Sequence, residues 1–338
     1  MFTIILLIAT FTSGYAQIGG ERVFEFLNVP NNARLGALGG TNITSGWDDL
    51  TQLSSNPALI NVQWQQQAAI SYLSYFADIN STSLFYANQV KQAGTFAFGL
   101  TYFNYGKVDS YDEQGAYLGE VSPKDYAFTV GYSKRFGAFS AGTSMKLVVS
   151  DLAAYQASGL MFDFGGSFKH PEKDMTFGLA IKNLGFLLSE FEEGRNSQLP
   201  LDVQLGFSYK PEFMPLRFSV TTKNTLRDDL VYFEEDDNLF GESNEPGVGE
   251  EIFRRLVFGT ELLFSPNFQL RFGYNHLLRQ ELRLENASGG AGLSFGFMFK
   301  VKRFEFSYTR ALYHTAGGSN TLQLVINTGE LIKRNKND

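Results

Sequence analysis

Few side chains in this sequence stand in arrangements that do chemistry. The longest acidic run, Glu234-Glu235-Asp236-Asp237, offers hard carboxylate oxygens of the kind calcium takes. It lacks the spacing of a calcium loop and reads more simply as a solvated stretch of a long loop. Its other use is electrostatic, since an anionic loop selects a basic protein partner by complementary charge. The three histidines, His170, His276 and His314, are too scattered to form a metal site. No Gly-x-Gly-x-x-Gly phosphate loop occurs, and no two carboxylates can be placed together for acid–base work. The absence of cysteine removes thiolate ligands, thiol nucleophiles and disulfides. The pattern points away from an enzyme, with no cofactor and no metal. A net charge of −7 argues against a nucleic-acid partner, which wants a basic stripe.

A second set of charges is informative through its phase. Lys146, Asp163, Lys182, Asp202, Glu261, Arg271, Lys300 and Glu305 each fall on the small or polar face of a segment whose other face is apolar. The clearest such segment sets Tyr126, Phe128, Val130 and Tyr132 against Ala127, Thr129, Gly131 and Ser133. A period of two places alternate side chains on opposite faces of a strand. The sequence predicts fourteen such strands, near 68–75, 80–88, 94–105, 125–136, 138–149, 156–168, 174–184, 200–210, 215–224, 253–264, 267–276, 290–300, 303–312 and 320–328.

Alternation alone fits a soluble sandwich as well as a membrane barrel, and the connections separate the two. Those at 137, 170–173, 211–214, 265–267 and 301–302 are short, while those at 106–124, 185–199, 225–252 and 277–289 are long. Tight turns at one end and long loops at the other describe a transmembrane β-barrel of the outer-membrane type. Tyr102, Tyr274 and Tyr308 fall at one set of strand ends and Tyr132 and Tyr209 at the other, as interfacial aromatic girdles require. Thirty-three Phe and a mean hydropathy of −0.14 fit apolar side chains spread along strands rather than gathered into a spanning helix. The charges on the small or polar faces then line the lumen, because Arg or Lys facing lipid at mid-depth costs about 2–4 kcal/mol. On this facing, Leu205→Arg is expected to impair assembly far more than Gly206→Ser.

Residues 1–16 read as a signal peptide with an apolar stretch over 4–11 and small residues before Gln17. Residues 17–67 do not read as strands. Gly39-Gly40, Asp48-Asp49 and Asn56-Pro57-Ala58 punctuate short helical fragments there, through capping and turn chemistry. A fourteen-stranded barrel is too wide for its own side chains to fill, so this segment is expected inside the barrel or across its periplasmic mouth. The barrel is placed at 68–328 and a polar periplasmic tail at 329–338.

The stretch Asn56-Pro57-Ala58-Leu59-Ile60 before the first strand resembles the hatch motif of the FadL-like family of fourteen-stranded barrels. The runs Val23-Phe24-Glu25-Phe26-Leu27-Asn28-Val29-Pro30 and Ala33-Arg34-Leu35-Gly36-Ala37-Leu38-Gly39-Gly40, with Asp48-Asp49 and Lys182-Asn183-Leu184-Gly185, are similar to its PorQ-like and PorV-like branch. That branch belongs to the Bacteroidota type IX secretion system. The chain departs from the usual outer-membrane pattern in ending on a polar, basic stretch rather than a terminal Phe. The resemblance implies an outer-membrane location and a surface attachment complex with a PorZ-like protein, a sortase-like protease and a PorV-like barrel. A FadL-like transporter of hydrophobic molecules, with the Gly39 to Ala58 motifs facing ligand, is the alternative.

Overall fold

In the computed structural model the described residues are 22–90, 93–112, 114–152, 155–191, 197–227, 247–282, 289–314 and 317–329. The signal segment, the Glu234 to Asp237 run and all of the tail beyond Gly329 lie outside them. Fourteen antiparallel strands close a barrel. They are β1 (Gln67–Ser74), β2 (Asn80–Val90), β3 (Gly94–Asn104), β6 (Lys124–Phe136), β7 (Phe139–Leu152), β8 (Tyr155–Lys169), β9 (Met175–Ser189), β10 (Asp202–Tyr209), β11 (Leu216–Thr222), β12 (Leu256–Ser265), β13 (Phe268–Asn275), β14 (Leu293–Val301), β15 (Phe304–His314) and β16 (Gly317–Asn327). Each pairs with its neighbour in chain order, and β1 closes on β16 from Gln67↔Asn327 to Ser74↔Asn320. The remaining two strands, β4 (Val108–Tyr111) and β5 (Tyr117–Val121), form a separate hairpin between β3 and β6.

The period of two settles which way the wall faces. In β13, Phe268 and Phe272 are exposed while Gln269, Arg271, Gly273 and Asn275 are buried. In β10, Leu205 and Phe207 point outward against buried Asp202, Gln204 and Ser208. The same alternation around the closed wall gives an outer belt of Phe, Leu, Tyr and Val and an inner face of Gly, Ser, Thr and charge. Closure leaves no strand edge unpaired, which hydrocarbon demands of any spanning structure. Turns at 137–138, 266–267 and 302–303 mark one end, while 105–123, 190–201, 223–255 and 276–292 mark the other. They are called here the turn end and the loop end.

Two departures from the expected strands have physical causes. Strand β9 runs on to Ser189 instead of stopping near residue 184. A bulge sets Lys182 and Asn183 against the single residue Asp163, and Asn183 takes a positive φ of 60°. The extra residue shifts the side-chain phase and masks the continuation. The β4–β5 hairpin is exposed on both faces, so it carries no alternation to read. Lys300, expected inward, is exposed at the turn end of β14.

The described chain before β1, residues 22–66, lies inside this wall. It starts at the loop end, where Arg22 bridges Gln198 and the Val23 amide donates to the Gln198 carbonyl at 3.0 Å. It leaves at the turn end, where the Gln66 amide donates to the Ala87 carbonyl at 2.9 Å. Between them lie α1 (Ala33–Ala37) and four single-turn helices at Glu25–Asn28, Leu50–Ser54, Pro57–Leu59 and Val62–Trp64. All but the one at Glu25–Asn28 are started by a side-chain cap: Asn32, Asp49, Asn56 and Asn61 accept from backbone amides two or three residues on. Helices this short do not hold by propensity alone; packing against the wall holds these.

Candidate functional site

The candidate site is the lumen together with the described hatch, residues 22–66, that fills it. The wall meets the hatch through glycines, which let the two backbones approach. A Cβ on Gly142 would overlap the Pro57 carbonyl. Gly39 is required on the hatch side, since its φ is +85° and a Cβ would lie 2.5 Å from Val257 Cγ1. Gly165, Gly178, Gly206, Gly259 and Gly273 meet Asn56, Ile43, Thr44, Leu38 and Gly39 in the same manner. A substitution such as Gly206→Ser would fall on this contact. A Cβ there would come within 2.6 Å of Ile43 Cγ1, so the lumen face is no tolerant surface; it is the seat of the hatch.

The motif residues of the hatch act on the hatch itself. Asn56 Oδ1 accepts from the Ala58 amide at 2.9 Å, and its Nδ2 donates to the Ile43 carbonyl at 2.9 Å and the Gly166 carbonyl at 3.4 Å. Pro57 takes the first helical position, where its missing amide is harmless, and Ala58 is wholly buried. Gly40 ends α1 by donating its amide to the Leu35 carbonyl at 2.9 Å. Asp49 accepts from the Thr51 amide and hydroxyl at 3.1 and 2.6 Å, while Asp48 is largely exposed.

Charge ties hatch to wall at one cluster. Arg34 of α1 is buried and reaches three carboxylates: Glu261 at 2.5 Å, Asp49 at 3.2 Å and Asp48 at 3.8 Å. Burial works against its charge, but Glu261, Asp48 and Asp49 outweigh it and hold the guanidinium firmly protonated. Glu261 also meets Arg217 at 3.2 Å and Arg271 at 3.5 Å, so one carboxylate serves three guanidiniums. A second cluster pins the β9 bulge. Lys146 Nζ lies 2.7 Å from Asp163 Oδ2 and donates to Asn183 Oδ1 at 2.8 Å, and the Asn183 amide donates to Asp163 Oδ1 at 2.8 Å. Asp202 accepts from Gln204 Nε2 at 2.9 Å and from the amides of Asn224 and Thr225 at 3.3 and 3.1 Å. Lys182 joins neither cluster: among the described residues it makes no hydrogen bond and no ion pair within 4.0 Å.

Sequence reading missed Arg217, although its phase opposite Phe218 in β11 carries the same signal as the others. It also takes the Gly-x-Ser-x-Gly form of a hydrolase nucleophile to be absent, whereas Gly292-Leu293-Ser294-Phe295-Gly296 has that spacing. Here Ser294 sits within β14, not on a strand-to-helix elbow. Its hydroxyl donates to the Ala37 carbonyl at 3.0 Å and accepts from the Gly39 amide at 3.1 Å, so it helps seat the hatch. Of the histidines, His170 lies in the β8–β9 turn and accepts two backbone amides through Nδ1. His276 opens α3 (His276–Glu281), 3.1 Å from Glu250 of α2 (Val248–Arg254). No group of metal-ligating side chains occurs among the described residues.

No protein-family model matches the chain, and no curated protein matches it. Among solved structures it is similar to a Pseudomonas aeruginosa FadL homologue, with 11% identity and a TM-score of 0.44 over 88% of this chain and 98% of that one. It is also similar to the Acinetobacter baumannii outer membrane protein Omp33, with 9% identity and a TM-score of 0.37 over 78% and 98%. The KdgM porin follows with 6% identity and a TM-score of 0.34 over 77% and 98%.

Proposed function

We propose that the chain is a non-enzymatic outer-membrane barrel of Gram-negative cells that works as an anchor. Its turn end faces the periplasm and its loop end the cell surface. Outer-membrane barrels carry short periplasmic turns and long external loops, and the two ends of this wall differ in that way. The observation that carries the anchor reading is the seating of the hatch. Residues 33–60 pack against the lumen glycines and are tied to the wall through Arg34 and Glu261. A lumen filled this way is a poor conduit and leaves the external loops as the working surface.

The sequence resemblance to PorQ-like proteins supports a finer assignment. The partner is then a PorZ-like surface protein of a type IX attachment complex, alongside sortase-like and PorV-like members. The acidic run 234–237 is the candidate docking loop. The test is purification from native outer membranes in mild detergent after brief crosslinking, with mass spectrometry of what is retained and conductance in planar bilayers. A stoichiometric surface protein with negligible conductance is the expected result. A retained fatty acid without a protein partner would favour the transporter, and steady conductance would favour a pore; either overturns the anchor reading.

A further inference from the structure

On the loop side of the hatch lies a small cavity of about 30 Å³ between the hatch and strands β9 to β11. Two lysines line it, Lys182 from β9 and Lys223 just beyond β11, with Gln204, Thr41, Asn28 and Ser55. Its charge is not balanced from within. The Lys182 ammonium has no hydrogen-bond acceptor among the described residues, and Lys223 Nζ has one long contact, 3.4 Å to the Asn28 carbonyl.

The neighbouring carboxylates are engaged elsewhere. Asp163 is taken by Lys146, Ser144 and the Asn183 amide. Asp202 lies opposite Lys182 in the β9–β10 register, yet its oxygens accept from Gln204, Asn224 and Thr225. Glu25 pairs with Arg227 at 2.6 Å. Burial also pushes the Lys223 ammonium below its ordinary range, with Asp202 and Glu25 only partly opposing it.

Both lysines are half-buried, so their ammoniums are short of protein partners and only incompletely reached by water, which favours a counter-charge beside them. A water molecule in the cavity would solvate two ammoniums without neutralising them. We infer that this cavity is a binding site for one small oxyanion, a phosphate or carboxylate group bridging Lys182 and Lys223. Its volume, about what one or two waters occupy, suits an ionic head of a few atoms. Gln204 and Thr41, already joined at 3.1 Å, supply neutral polar groups beside the anion. Because Asn28 and Thr41 belong to the hatch, the bound ion would bridge hatch and wall. The site does not depend on the anchor reading.

The test uses the full barrel in a non-ionic detergent. Both tryptophans, Trp47 and Trp64, lie in the hatch, so their emission reports hatch release during denaturation. Inorganic phosphate and acetate, at ionic strength matched with chloride, should raise the release midpoint saturably, as ligand linkage requires. Lys182→Met and Lys223→Met should each weaken the response at least tenfold, and Lys182→Arg should keep it. In anion-free buffer Lys182→Met should release no earlier than wild type, because an unpaired cation is removed. Equal effects of phosphate, acetate and chloride, or an unchanged response in both Met variants, would show ordinary ion screening only and overturn the site. Earlier release of Lys182→Met without anion would also overturn it, by showing that the ammonium is already satisfied.

Discussion

Glu261→Gln is the sharpest probe of how the hatch is held. The carboxylate lies 2.5 Å from Arg34, 3.2 Å from Arg217 and 3.5 Å from Arg271. A neutral amide leaves three guanidiniums facing one another. Asp49 and Asp174 still serve Arg34 and Arg217, each at 3.2 Å, but no other carboxylate lies within 4.0 Å of Arg271 among the described residues. Removing one partner of a buried ion pair costs about 3–5 kcal/mol. Because Arg34 belongs to the hatch and the other two arginines to the wall, the loss falls largely on hatch seating. At about 1.4 kcal/mol per decade, the released state gains roughly a hundred- to several-thousand-fold in population. Tryptophan emission and far-UV circular dichroism separate the two events, since both indoles lie in the hatch and the strands dominate the dichroism. In Glu261→Gln the emission change should precede loss of the strand signal by a clear interval of denaturant. Adding Arg34→Gln should cost less than it does alone, because it removes one of the unbalanced cations, with a coupling of about 1 kcal/mol or more. Coincident transitions at the wild-type midpoint, or strict additivity of the two changes, would refute this account of the cluster.

Three further outcomes follow from the same geometry. Lys146→Met leaves Asp163 buried without its cation and should lower barrel stability by about 3–5 kcal/mol, read as a lower thermal midpoint of the strand signal. Gly142→Val forces a side chain against the Pro57 carbonyl; the strands should form while hatch emission shifts toward that of exposed indole and bilayer conductance rises above wild type. Leu205→Arg, on the exposed outer belt, should cost about 2–4 kcal/mol of assembly in lipid and leave tryptophan emission of the folded fraction unchanged. If Gly142→Val stays as closed as wild type, the glycine contacts do not seat the hatch.

The fourteen barrel strands were legible because each turns an exposed apolar face outward and a small or polar face toward a filled lumen, so their two faces differ residue by residue. Where that contrast fails, reading failed too. The β4–β5 hairpin stands clear of both environments, and the Asn183 bulge inverts the phase of a strand that physically continues. Short hatch helices announced themselves only through their first residues, Asp49 and Asn56, because capping is local. The pairings that matter most had no local signature. Arg34 and Glu261 stand 227 residues apart, and nothing near either names the other. The glycines of the wall show the same limit from the opposite side. Read along one strand, Gly142 or Gly206 is merely the small member of an alternating pair. Read around the closed barrel, those positions form the surface on which the hatch rests, so their smallness is set by a segment far off in sequence. A barrel wall therefore reveals its outward face to local inspection, whereas its inward face is written jointly with whatever fills it, and Lys182, which makes no hydrogen bond or ion pair among the described residues, acquires meaning only beside the matched clusters of Arg34 with Glu261 and Lys146 with Asp163.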